Sequence, residues 1–551
     1  MKRKLAWLLV TALLVQLFTG CGQEVNETKA PSVGTTAAAT KAPDVKETGT
    51  SETEAPGESG ITYPIKGDNL TLTIAVKENA NVTVVGKLED TPLVKAYEEA
   101  TGVKIEFVHP SDFALLFTSE KLPDIISYNW TSYPGGGEQA IKDGIIRAVE
   151  DLVPTYAPDY YELLTSNDAW KKEATTAEGH LIGIHSIRTA QALCTSQGMI
   201  IRKDWLDDLG LDVPNTPEEL TEALRKFRDE KGATAPMSMT YGYLRNLISN
   251  GNLTSAFGLV KGNFYQKDGK VYSGYMEDGF KDMLAWLHEL YVEGLMDPDF
   301  VTVDEATTKA NLMNGISGVT CGGLAAGIGT MIQTMSPSNP EFNLIGVPSL
   351  VAKDGDRAYS GHCTASVNTT AAAISADCEN VELALQFLNY AFTEEGRMLT
   401  NFGVKGVSYE MVDGQPKYTE LITKNPNGLN ITQALAQYAN SGQNTMGIAI
   451  AQDERYIYEY SQYDVQDETL RLWTDNDAQE HLLPTLSVSD TELLAQINTE
   501  YYAYVGESIS DFIKGTRSLD EFDDFVKELE TIGVPTMVDL YQEALDKYNA
   551  N

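Results

Sequence analysis

Positive charge is what this sequence has least of. Lys and Arg number 41 against 79 Asp and Glu, for a net charge of −38. Binding along a phosphate backbone needs clustered cations that displace counterions, so no nucleic-acid partner is expected. Histidine, with 6 residues, and cysteine, with 5, are also scarce. Cys194, Cys321, Cys363 and Cys378 form no C-x-x-C pair and have no histidine at metal-ligand spacing. They read as buried thiols, with a disulfide among them left open. His180 and His185 fall on one expected strand at an odd spacing and face opposite sides. No metal and no cofactor is therefore expected. The G-x-S-x-G elbow, H-E-x-x-H and the phosphate-binding glycine loop are all missing.

Long apolar runs are nearly missing too. Residues 315–332, GISGVTCGGLAAGIGTMI, carry no charge but are rich in glycine and poor in Leu, Ile and Phe. Such a run partitions weakly into lipid. A buried strand, a glycine turn and a helix start are expected there.

The other run lies at the N-terminus. Lys2, Arg3 and Lys4 precede an apolar stretch from Leu5 to Phe18, and Thr19 and Gly20 stand before Cys21. Cations, a short apolar segment and small residues in that order make an export signal at 1–20, too short to stay as a membrane span. The ending LFTGC resembles the bacterial lipobox, which implies a lipid on Cys21 and an anchor in the bilayer. Residues 22–60 contain no aromatic and are dominated by Thr, Ala, Glu, Pro, Ser and Gly. They cannot bury enough surface to offset their ordering entropy, so 21–60 is expected to be a lipidated, disordered tether. Removal of the three cations with the signal takes the charge to −41.

What remains is long enough for two lobes. LTLTIAV at 70–76 alternates as a strand, Thr91-Pro92 opens a helix that Gly102 stops, and strands are expected at 103–108 and 124–128. This is the start of a parallel α/β unit. Thr216, Pro217 and Glu219 form a capping box. Residues 378–396 place Val381, Ala384, Leu385, Leu388 and Phe392 on one helical face. From 433 onward, amphipathic helix dominates.

Four stretches carry a family resemblance: KLPDIISYNW (121–130), IIRKDWLDDLGLDVPNTPEEL (200–220), YVEGLMDPDF (291–300), and NVELALQFLNYAFTEEG (380–396) with FGVKGVSYEMVDGQPKY (402–418). Together they resemble the extracellular solute-binding proteins of bacterial ABC importers, in the carbohydrate-type lipoprotein branch. That resemblance implies an α/β, two-lobe fold of the type II periplasmic-binding-protein kind, with an interlobe ligand cleft and hinge crossings near 186–197, 348–360 and 401–406. Lobe 1 is expected from 61–190 and 356–400, lobe 2 from 191–355 and 401–551. The implied partners are a sugar or oligosaccharide and the membrane subunits of an ABC permease, at the outer face of the cell membrane. Several members carry a calcium loop where this chain reads RDEKGATAPMSM (228–239). Here the alternating Asp and Asn ligands are missing.

A sugar cleft combines aromatic platforms with short polar groups. Tyr128, Asn129 and Trp130 follow a strand at the end where open α/β sheets bind ligands, and Trp130 is the expected stacking platform. Tyr241 and Tyr243 flank a glycine in an expected strand-to-loop step. Arg188 and His362 stand at the first two crossings, and Tyr409 in the GVSYE loop. The alternatives are a lipid-anchored glycoside hydrolase or esterase, whose paired carboxylates have no universal motif, or a binding protein for peptides, polyamines or acidic sugars.

Overall fold

The computed structural model describes residues 60–550 apart from 85, 177, 442–444 and 485–487. The signal, Cys21 and the tether to residue 59 lie outside the described residues. Nine strands build the two main sheets: β1 (Thr71–Ala75), β2 (Lys104–Val108), β3 (Ile125–Asn129), β4 (Ile184–Arg188), β5 (Gln197–Arg202), β6 (Val319–Gly323), β7 (Leu344–Gly346), β8 (Val367–Ile374) and β9 (Ala451–Gln452).

The first sheet has the order β9-β4-β8-β3-β1-β2. β1 runs parallel to β2 and β3, while β8 is antiparallel to both β3 and β4. The helix Pro92–Thr101 supplies the first crossover. Thr91 caps it by accepting from the Val94 amide, and Gly102 ends it at φ 73, a left-handed conformation that favours glycine. Its Tyr97 is buried with Ile74, Ile125, Ile184 and Phe387, so the parallel β-α-β start lies where the pattern of residues predicts it.

The second sheet has the order β6-β5-β7 and is antiparallel throughout. Alternation along β5 decides what covers each face. Met199 and Ile201 point into a core with Phe227, Leu284 and Phe512, on helices Pro217–Lys231, Asp278–Val292 and Thr491–Lys514. Gly198 and Ile200 face the other way, toward the helix Asp464–Thr474 and its buried Trp473. The uncharged run at 315–332 is β6, a π-helical turn at Leu324–Gly329 and the helix Thr330–Met335, as its composition predicts. Among the described residues no helix is long and apolar enough to cross a membrane.

The chain passes between the sheets three times. The first passage joins β4 to β5 at 189–196, inside the expected stretch. The second comes at 361–366, just beyond the expected 348–360, because Leu350 and Val351 still donate amide hydrogen bonds to Asn252 and Asn215 beside the second sheet. The last passage differs more. Phe402, Tyr409 and Tyr418 already pack in one core with Ile200 and Leu344 of the second sheet, within or just after the expected 401–406, but Ala451 and Gln452 return to pair with Ile187 and Arg188, so the first sheet is finally left at 453–463. The helical pattern at 378–396 is also split: Val381–Asn389 is one helix, and Thr393 caps a second at Glu394–Phe402.

Trp473 tests how tightly the helix at 464–474 is seated. A Cβ placed on Gly346 would lie 2.5 Å from the Trp473 indole nitrogen, and one on Gly198 2.5 Å from its ring carbon. Overpacking of this kind costs about 1–3 kcal/mol. Gly346→Ala should therefore lower the unfolding free energy by that amount, read as a fall in the urea midpoint at an unchanged denaturant slope.

Candidate binding site

The carboxyl ends of β1, β2 and β3 lie side by side, and three kinds of surface gather there. Past β1, the Val76 amide donates to the Val108 carbonyl at 3.0 Å, and His109 Nδ1 lies 3.0 Å from the Val76 carbonyl oxygen. These bonds hold open a cavity of about 250 Å³, with Glu78, Asn79, Thr83, Glu89, His109 and Thr445 among its lining residues. Gly447, at φ 67, crosses the same strand ends so closely that a Cβ would stand 2.7 Å from Val76 and 3.1 Å from Ser127. Asn440 sets that segment by accepting from the Met446 amide at 3.0 Å and donating to the Ile448 carbonyl at 3.2 Å.

Past β3 the surface is aromatic. Tyr128 packs against Phe113 at 4.9 Å and, edge-on, against Phe117 at 5.2 Å and Trp130 at 5.4 Å. Tyr133 closes the group against Phe117 at 5.3 Å. Tyr128, Phe113, Phe117 and Tyr133 are half-buried, whereas Trp130 is 0% exposed. The Trp130 indole N–H donates to the Ala371 carbonyl at 3.2 Å, and the ring lies in a core with Ile126 and Ala373. Trp130 thus offers no free face for stacking in this conformation; the exposed aromatic surface belongs to its neighbours. Asn129 turns inward on its own chain, its carbonyl oxygen accepting from the Thr131 hydroxyl at 2.8 Å. Burial raises the Tyr128 phenol above its ordinary value, with nearby Asp112 adding to the shift.

The third surface is the junction of the first two passages. Arg188, at the end of β4, is half-buried and donates through Nη1 to the Ala365 carbonyl at 2.8 Å. No carboxylate stands at ion-pair distance from it among the described residues. His362 accepts at Nδ1 from the Ser196 amide at 3.5 Å, and its carbonyl accepts from the Thr195 hydroxyl at 3.1 Å. Burial pushes the His362 imidazole down to about 4, and the charge on Arg188 acts in the same direction.

The remaining expected residues stand elsewhere. Tyr241 and Tyr243 open the helix Tyr241–Asn250 rather than a strand-to-loop step. The Tyr241 hydroxyl donates to the Gly506 carbonyl of the helix Thr491–Lys514, and Tyr243 lies beside Glu305. Tyr409 is 5% exposed in a core with Phe402 and Tyr418. No hydrogen bond, ion pair or ring contact joins these three tyrosines to Tyr128, Arg188 or His362 among the described residues. At 228–239, the helix Pro217–Lys231 ends on Gly232 and Asp229 pairs with Arg228. Outside the strand ends, Glu138, Glu178 and His180 approach one another, but Lys142 bridges Glu178 at 2.8 Å and Glu138 at 3.6 Å. That ammonium already neutralises the negative charge the carboxylates would offer a metal.

Sequence reasoning missed the cavity. Its residues follow β1 and β2, the same kind of strand end that drew attention to Tyr128, so position alone could have found them.

Two outcomes follow. Removing the Trp130 ring leaves a large void and an unpaired Ala371 carbonyl, so Trp130→Ala should cost about 3–5 kcal/mol in chemical unfolding. His362 titrates lower in the folded state than the ordinary 6.5, so the unfolded chain binds the extra proton first. Its contribution to stability is complete above pH 6.5 and is lost as pH falls toward about 4. His362→Gln should flatten the pH–stability curve across that window, measured by urea unfolding against the parent.

The model for "bacterial extracellular solute-binding protein" matches residues 80–398, more than half of the chain. LipO of Bacillus subtilis strain 168, a lipoprotein, is 29% identical over 370 residues, covering 64% of this chain and 70% of LipO. The fructooligosaccharide ABC transporter substrate-binding protein FusA of Streptococcus pneumoniae serotype 4 is 24% identical over 495 residues, 83% of this chain and 87% of FusA. Among solved structures, alginate-binding protein AlgQ2 without calcium ion superposes with a TM-score of 0.68 at 21% identity, over 87% of this chain and 99% of AlgQ2. FusA from S. pneumoniae with fructo-nystose bound, an EF-hand mutant, gives 0.67 at 21%, over 87% and 100%. By family match and by shape, the chain belongs to the bacterial extracellular solute-binding proteins and has their two-lobed α/β fold.

Proposed function

We propose that this chain is a lipid-anchored receptor that captures a sugar or oligosaccharide between its lobes and delivers it to an ABC permease. The observation that carries the ligand class is that half-buried aromatic rings and a cavity with polar side chains in its lining both stand at the carboxyl ends of β1–β3. Sugars present apolar C–H faces and a rim of hydroxyls, and this surface offers ring faces together with Glu78, Asn79, Thr83 and His109. Relatives whose names state a ligand bind fructooligosaccharides, polygalacturonan or rhamnogalacturonan, and alginate, which supports a carbohydrate without choosing its charge. Lobe 1 is built on the first sheet and takes in 451–452 as well as the expected segments; lobe 2 is built on the second. Tyr128, Arg188 and His362 are the expected site residues best placed to meet a ligand, Tyr128 as a ring platform and Arg188 as a planar donor. Capture is a hinge closure: contacts made only in the closed form shift the equilibrium toward it.

The relatives are binding proteins rather than enzymes, and the proposed act is capture without turnover. Lipid on Cys21, followed by the tether, keeps the receptor beside its permease. Calorimetry against neutral oligosaccharides, uronate oligomers and peptides tests the reading. A carbohydrate should bind, Tyr128→Ala should weaken it at least tenfold with little change in melting temperature, and no new reducing ends should appear. Binding of peptide alone, or steady release of reducing ends, would overturn it.

A further inference from the structure

The four cysteines after Cys21 do not share one environment. Cys321 and Cys378 are each buried, and burial lifts both thiols, Cys378 to about 11. Cys194 and Cys363 instead meet. Cys194 stands on the first passage between the sheets, in the 3-10 turn Gln191–Cys194, and Cys363 stands on the second. Their backbones are laced together: the Thr364 amide donates to the Cys194 carbonyl at 3.0 Å, the Thr364 hydroxyl to the same oxygen at 3.2 Å, and the Thr195 hydroxyl to the His362 carbonyl at 3.1 Å. These bonds on either side of the cysteines hold Cys194 and Cys363 on facing segments. Cys363 is half-buried and so reachable from solvent, with the Gln479 side-chain amide donating to its sulfur at 2.8 Å.

The charges nearby favour a thiolate. Hydrogen bonding from Cys363 lowers Cys194 to about 7, and the Arg188 guanidinium adds to that shift. Cys363 is pushed the other way, upward, by Cys194 and by burial, with the charges of Lys261 and Arg188 offsetting only part of it, so Cys194 is the thiolate of the pair. A thiolate is the species that attacks disulfides, so this is an electropositive pair rather than two inert core cysteines.

We infer that Cys194 and Cys363 form a reversible dithiol–disulfide site that ties the first interlobe passage to the second. The co-reactant is an external disulfide, small-molecule or protein-borne. One thiolate of the pair attacks it, forming a mixed disulfide and expelling one thiolate. The partner loses its proton and attacks the bonded cysteine sulfur, expelling the second. Two S–H bonds are lost, one S–S bond forms inside the chain, and the two electrons leave on the external disulfide, which departs as two thiols. The inference goes beyond ligand capture and rests on neither the ligand class nor the permease.

The test uses the exported chain without added ligand, incubated with excess oxidised glutathione. Intact mass should fall by two hydrogens, two of the four thiols following Cys21 should stop titrating, and peptide mapping should find Cys194 joined to Cys363. Dithiothreitol should restore both thiols. Cys321→Ala with Cys378→Ala should leave the reaction unchanged. Hydrogen exchange at the Thr364 amide should slow at least tenfold on oxidation, because the disulfide pins the Cys194 turn to whose carbonyl it donates. Four titratable thiols after prolonged incubation, a stable glutathione adduct that never resolves, or a crosslink involving Cys321 or Cys378 would each overturn the proposal. The wild-type map decides even where Cys194→Ser fails to fold, and an absent carbohydrate ligand leaves every one of these readouts in place.

Discussion

Four hydrogen bonds between 194–196 and 362–364, three of them to a backbone carbonyl and the fourth to the His362 ring, carry the junction of the two sheets, and the remaining architecture is arranged around them. The first passage leaves the end of β4 and the second enters β8, which pairs with β4. Any rotation of one lobe on the other must therefore pass through this laced pair of segments. Neutral hydrogen bonds contribute about 0.5–1.5 kcal/mol each. Four of them hold the register of the segments without forbidding a change in twist. That is the requirement for a hinge: fixed partners and soft dihedrals. His362 fits the same logic, because a buried neutral imidazole can accept from the Ser196 amide, whereas a protonated one would bring a second cation beside Arg188.

The third passage is held differently. β9 contributes only Ala451 and Gln452 to the first sheet, and 453–463 then leads to the helix that lays Trp473 on Gly198 and Gly346. Here packing does most of the fixing, with the Gly346 amide donating to the Thr469 hydroxyl and Gln466 to the Leu324 carbonyl, both at 2.8 Å; among the described residues the Trp473 indole N–H has no hydrogen-bond partner. Two missing β-carbons on neighbouring strands make a flat site for one large ring. The C-terminal helices are committed to the second lobe by that fit, so a motion at the junction moves them as part of one body.

Much of this was legible from residue types. Thr91-Pro92 and Gly102, Thr216 with Glu219, and the alternation at 70–76 each encode a local conformation, and each element appears where those residues place it. Trp130 shows where such reasoning stops. Its position at the end of β3 is readable, but the Ala371 carbonyl, 241 residues away, takes its indole N–H, and Phe117 and Tyr133 come to rest beside its ring. Tyr241 fails for a similar reason: its hydroxyl is taken by a carbonyl 265 residues away. The strand β9 is too short for any period to announce it. Cys194 and Cys363 look unrelated because the contact between them is made by two passages separated by an entire lobe.

The net charge of −38 suggests at first that an anionic ligand would be repelled. Distance decides otherwise. Exposed charges more than about 8–10 Å away are largely screened at physiological ionic strength, so most of the surplus carboxylates do not act at the cleft. What a ligand meets on arrival is local: Arg188 without a carboxylate partner among the described residues, Lys261 nearby, and Glu78 and Glu89 at the far cavity. A half-buried guanidinium with spare donors gains by meeting either a carboxylate or a pair of sugar hydroxyls, and it gains more from the carboxylate. The two ends of the strand surface therefore differ in balance: by the passages the cations stand without an ion-pair partner among the described residues, whereas beyond β1 Lys87, 3.8 Å from Glu89, offsets part of the acidic charge. A ligand spanning both would be oriented by that difference, its electron-rich end toward Arg188, before any hydroxyl is read.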